Sequence, residues 1–110
     1  MRYEFMFPSE FVKAADLAGK DVTVTIKSVT MDELTMRGGR KENKGVIRFE
    51  KAEKKLVLNR TNADTIAAIY GKDTDDWIGK KITMYPTTTT FGRDTVECIR
   101  IRTKQEMEHK

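Results

Sequence analysis

Residues 21–29 (DVTVTIKSV) alternate strictly: Val22, Val24 and Ile26 point one way, Thr23, Thr25 and Lys27 the other. β-Branched residues at period two predict a strand with one buried and one solvated face. Such a strand must be covered on its apolar side, and antiparallel sheets do this most simply. Further runs follow the same rule. Residues 46–51 predict a strand with Ile47 and Phe49 inward and Val46 and Arg48 outward, and residues 55–59 one with Leu56 and Leu58 on a shared face. The tight turn 51–54 makes these two a hairpin. Residues 80–85 set Ile82 and Met84 opposite Thr83 and Tyr85. In 95–102 the apolar parity changes between Val96/Cys98 and Ile99/Ile101, which predicts a bulge near Cys98. Residues 37–45 (RGGRKENKG) read as a loop, and 86–94 (PTTTTFGRD) as another loop or in part a frayed hairpin.

Residues 61–70 (TNADTIAAIY) predict a helix, with Thr61 or Asn62 as its cap and Gly71 as its stop. Residues 73–78 predict one further turn anchored by Trp77, and residues 8–18 a short N-terminal helix capped by Ser9 and stopped at Gly19. The 110 residues suit a single domain over 1–104: an N-terminal helical segment at 1–20, the strands at 21–104, and then a polar tail at 105–110. Five strands with a helix between the third and fourth follow the order of an oligonucleotide/oligosaccharide-binding (OB) fold. The expectation is therefore a mainly β protein, a five-stranded OB-like Greek-key barrel. An SH3-like barrel is the nearest competitor.

Chemistry is narrowed by what the chain lacks. One cysteine (Cys98) and one histidine (His109) leave no disulfide framework, no cysteine-rich or histidine-rich metal site and no Ser/His/Asp set. Asp73, Asp75 and Asp76 fit helix-turn capping better than a divalent metal site. No enzyme activity, metal or cofactor is expected. No run is long and apolar enough for a membrane span, and the N-terminus does not read as a signal peptide, so a cytoplasmic location is expected.

The net charge of +4 is unevenly distributed. Residues 37–55 hold eight basic against three acidic side chains, and residues 80–104 six against two. Residues 56–79, between them, are acidic on balance, with four acidic against two basic. OB folds bind ligands on the face of strands two and three, flanked by the loops joining strands one to two and four to five. The assigned order makes those loops 37–45 and 86–94, so the two basic blocks are expected to converge on one groove. Arg37, Arg40, Lys41, Lys44 and Lys51 would follow a phosphate backbone, and Arg48 would pair with phosphate or stack on a base. Arg93, Arg100 and Arg102 would line the other side. Tyr85 and Phe91 are candidate stacking platforms. Burial under the N-terminal helix is the alternative for Tyr85, and closure of its own loop the alternative for Phe91.

Residues 15–26 (ADLAGKDVTVTI), 56–87 (LVLNRTNADTIAAIYGKDTDDWIGKKITMYPT) and 96–102 (VECIRIR) resemble a family of small phage and prophage proteins. The resemblance is carried by Leu58, Asn59, Thr61, Asn62, Ile66, Tyr70, Gly71, Asp75, Asp76, Trp77, Gly79, Tyr85 and Pro86. It implies a place in phage DNA metabolism and speaks to origin more than to activity. The loop at 37–45 lies outside the matched stretches. The expected function is non-catalytic binding of single-stranded DNA, or RNA, with little sequence preference. The alternative is an accessory module of a phage replication, recombination or assembly complex. That module would contact a protein partner through strand edges and the apolar segment 3–11; in the nucleic-acid reading a homodimer would add avidity.

Overall fold

In the computed structural model, which describes residues 11–35 and 37–104, the alternating stretch does more than its length suggests. It extends into a 14-residue strand, β1 (Val22–Thr35). Its partners are β2 (Lys41–Phe49) and β4 (Lys81–Phe91); β3 (Leu56–Val57) and β5 (Asp94–Ile101) lie outside those. All pairings between strands are antiparallel, and the single sheet has the order β3-β2-β1-β4-β5. One strand serves two neighbours by dividing its length. Residues 22–25 pair with 81–84, and residues 26–35 pair with 41–49.

The handover falls at Ile26. Its N–H donates to Lys80 C=O and its C=O accepts from Gly79 N–H, both at 2.8 Å. A register shift between Ile26 and Ser28 inserts Lys27 as an extra residue. Such a bulge bends the strand and re-aims it toward a new partner. Here it also restores parity: Thr23 and Thr25 before it, and Ser28, Thr30 and Asp32 after it, share the side away from the core. The expected bulge at Cys98 is absent, since the β4–β5 register runs without a shift.

The core joins Ile26, Ile47, Phe49, Leu56, Ile66, Trp77, Ile82, Met84, Ile99 and Ile101, with Leu17 closing one side. Val46 keeps the expected parity with Arg48 but is fully buried, flanked by Thr30 on β1 and Val57 on β3. The helix α1 (Arg60–Tyr70) lies between β3 and β4 and buries Asn62 and Ile66. Its cap is Asn59, whose side-chain oxygen accepts from Asn62 N–H at 2.8 Å, two or three residues before the expected cap. Asn59→Ala is expected to lower stability by about 1 kcal/mol, readable as a lower urea midpoint at unchanged slope. A 3₁₀ turn (Thr74–Trp77) follows, capped by Asp73. Trp77 Nε1 donates to Gly71 C=O at 2.8 Å and ties this turn to the end of α1.

Two expectations are corrected. The short N-terminal helix is, among the described residues, a 3₁₀ turn (Ala14–Leu17) ending in left-handed Ala18; the rest of that expectation, residues 8–10, lies outside them. The barrel does not close. β3 and β5 are the two ends of the sheet order and do not pair. β3 is only two residues long, and the chain entering it is already engaged: Lys55 C=O accepts from Val12 N–H at 2.8 Å. At β5, the Asn62 side chain occupies Ile99 C=O at 3.0 Å. The polar tail at 105–110 falls outside the described residues. Among the described residues, no helix is long and apolar enough to cross a membrane.

Candidate nucleic-acid interface

Cross-strand partners share a face, so the register decides which predicted residues meet. Thr23 faces Thr83, Thr25 faces Lys81, and Tyr85 faces Arg100, all on the side away from the core. Beyond the bulge the same side continues through the pairs Ser28–Arg48, Thr30–Val46 and Asp32–Lys44. One outer face therefore holds Lys44 and Arg48 on β2, Lys27 at the bulge, Lys81 and Tyr85 on β4, and Arg100 on β5, with Arg102 just beyond it. Threonines fill its centre, where the Thr23 and Thr83 hydroxyls are 2.9 Å apart.

Tyr85 is half-buried, and the contact described over its ring is a cation. The Arg102 guanidinium lies over its ring, 3.7 Å from the centroid. Arg102 is fixed there by a two-pronged bond to Asp21, Nη2 to Oδ1 at 3.0 Å and Nε to Oδ2 at 3.2 Å. A planar cation stacked on an aromatic ring and clamped at its edge is a rigid platform. Arg100 stands beside it, opposite Tyr85, with Nη1 donating to Ile99 C=O at 3.3 Å.

Arg48 is held as firmly. Nη2 donates to Asp32 Oδ2 at 2.9 Å, Nη1 to Thr30 Oγ1 at 2.6 Å, and Thr30 Oγ1 in turn to Asp32 Oδ1 at 2.7 Å. The Thr30 hydroxyl first, and then Arg48, hold the Asp32 carboxyl below the usual carboxylate range. A lowered pKa means that folding favours the ionised form. The contribution to stability is then complete above the unfolded-state pKa and disappears as pH falls through the lowered folded value. Carbon-detected NMR titration is expected to find the Asp32 midpoint below that of an ordinary aspartate, and Arg48→Met should raise it.

The remaining predicted residues are dispersed. Arg40 and Lys41 lie at the β1–β2 tip, at 3.7 Å from Glu42 and Glu33 respectively, and Lys41 falls on the parity opposite to Arg48. Arg37 belongs to the 3₁₀ turn (Arg37–Gly39) at that tip. Lys51 occupies the β2–β3 turn with φ of 61°. Phe91 ends β4, and Arg93 sits exposed in the turn to β5. The two hairpins leave β1 in opposite directions, one past Thr35 and the other past Val22. The loops themselves are shorter than expected, because β2 begins at Lys41 and β4 continues to Phe91.

Lys27 and Lys81 belong to this face and were not among the expected site residues. Their signal was the parity itself: each falls in phase with the outward threonines of its strand. The chain matches no family model, no curated protein and no solved structure.

Proposed function

We propose that this protein binds single-stranded nucleic acid, DNA foremost, along the outer face of the sheet. The supporting observation is that the register sets the Tyr85–Arg102 stack, Arg100, Lys81, Lys27, Arg48 and Lys44 along one side of the sheet. Bases would stack on the Tyr85–Arg102 platform, and the lysines and Arg100 would follow the phosphates. The Thr23 hydroxyl, exposed beside buried Thr83, would serve sugar and phosphate oxygens. Asp21 and Asp32 already balance Arg102 and Arg48, so the face relies on fewer net charges than the sequence blocks suggest. Binding in the micromolar range with little sequence preference follows. We read the open sheet as an OB-type Greek-key arrangement left unclosed at one seam, a fold that occurs partly open. A role in phage DNA metabolism agrees with this reading. An accessory role in a larger complex draws on a separate observation, the outer edge of β5, which no strand among the described residues pairs.

The test is fluorescence anisotropy with a labelled thymidine oligonucleotide of about 16 nucleotides at two salt concentrations. Saturable binding that weakens steeply with salt supports the proposal. No binding at low salt refutes it.

A further inference from the structure

We propose that the seam between β3 and β5 receives an extended segment of a partner polypeptide bearing a basic side chain. This is independent of nucleic-acid binding. The argument begins with the backbone. Arg102 N–H donates to Thr83 C=O at 2.9 Å, which sets the alternation along β5. Arg100 and Cys98 turn their backbone groups toward β4; Ile99, Glu97 and Thr95 turn theirs to the free edge. Across the seam, Leu58 N–H bonds to Gly45 C=O at 2.8 Å, so β3 turns the groups of Val57 outward. Among the described residues no strand pairs with the outer edge of β5. The outward positions carry neither proline nor lysine, the usual guards of an edge.

Between the two edges lies a cavity of about 420 Å³, lined by Val12, Lys13, Leu56, Asn62, Glu97 and Ile99 among others. Asn62 is 2% exposed. Its Nδ2 donates to Ile99 C=O at 3.0 Å, the bond that a neighbouring strand's N–H would make. Its Oδ1 is buried without a donor. Buried acceptors left unpaired are rare and costly. A peptide N–H of an added strand would supply this donor. Glu97 has no cationic partner among the described residues and would repel phosphate. A strand with an apolar side chain between Leu56 and Ile99 and a lysine or arginine beside Glu97 satisfies all of these groups. A nucleic acid does not.

Hydrogen exchange on the free protein comes first. The Glu97 and Ile99 amides are expected to exchange much faster than those of Cys98 and Arg100. A library of random peptides of about ten residues is then enriched on the wild-type protein and re-tested on Glu97→Pro and Glu97→Lys. Proline removes an N–H that the β4–β5 ladder does not use, and retained protection at Arg100 shows that the variant is folded. Enriched peptides should carry basic residues, lose about tenfold or more in affinity on both variants, and protect the Ile99 amide. Three results overturn the proposal: no enrichment, enriched peptides indifferent to Glu97→Pro, or Glu97 and Ile99 amides already protected in the free protein. In the last case the edge is covered by the chain's own first residues or by a second copy, and light scattering separates the two.

Discussion

Tyr85→Ala is expected to weaken binding of a thymidine oligonucleotide by tenfold or more, about 1–3 kcal/mol. Two effects add. The ring is lost as a stacking surface, and Arg102 loses the plane against which it lies at 3.7 Å. Tyr85→Phe keeps both and should bind nearly as the wild type does. The salt dependence separates stacking from charge. Tyr85→Ala should leave the slope of log affinity against log salt unchanged, whereas Arg100→Ala should lower it by about one phosphate contact. Anisotropy titrations at several salt concentrations read both quantities. Equal affinity of Tyr85→Ala and wild type would remove the platform from the account.

Trp77→Ala is expected to have the largest effect on the fold, a loss of about 3–5 kcal/mol. Trp77 is 3% exposed and belongs to the core. It also donates from Nε1 to Gly71 C=O at 2.8 Å, so one side chain packs the core and fastens the end of α1. For a domain whose whole stability is of the order of 5–15 kcal/mol, that loss is a large share. Trp77→Phe keeps most of the packing and forfeits the hydrogen bond, and should cost less. Urea unfolding followed by circular dichroism ranks the two; a midpoint for Trp77→Ala close to wild type would contradict the packing described.

The parts of the fold legible in the sequence are those decided locally. Val22, Val24 and Ile26 against Thr23 and Thr25 announce β1, and the apolar side of 61–70 announces α1. What was not legible depends on distant partners. The stretch 41–45 reads as loop because of its charges and glycine, yet it is strand because 31–35 of β1 pairs with it. The threonine run 87–90, read as loop or frayed hairpin, is regular strand for the same reason, opposite 95–98. Charge was misjudged likewise. Counting along the chain makes residues 37–55 strongly basic, but Arg48 is balanced by Asp32 and Lys41 by Glu33, both supplied by β1. Asp21, 81 positions from Arg102, occupies that guanidinium. Closure failed as an expectation because strand count and order do not reveal that β3 has two residues or that Asn62 caps the edge of β5.

The most direct measurement is a two-dimensional NMR titration of the labelled protein with the thymidine oligonucleotide. The account predicts that the largest shift changes fall on Thr23, Thr25, Lys27, Thr83, Tyr85 and Arg100, with the Arg102 side-chain signal moving alongside them. Changes confined to α1 or to the seam around Asn62 and Ile99, or no changes at low salt, would contradict it.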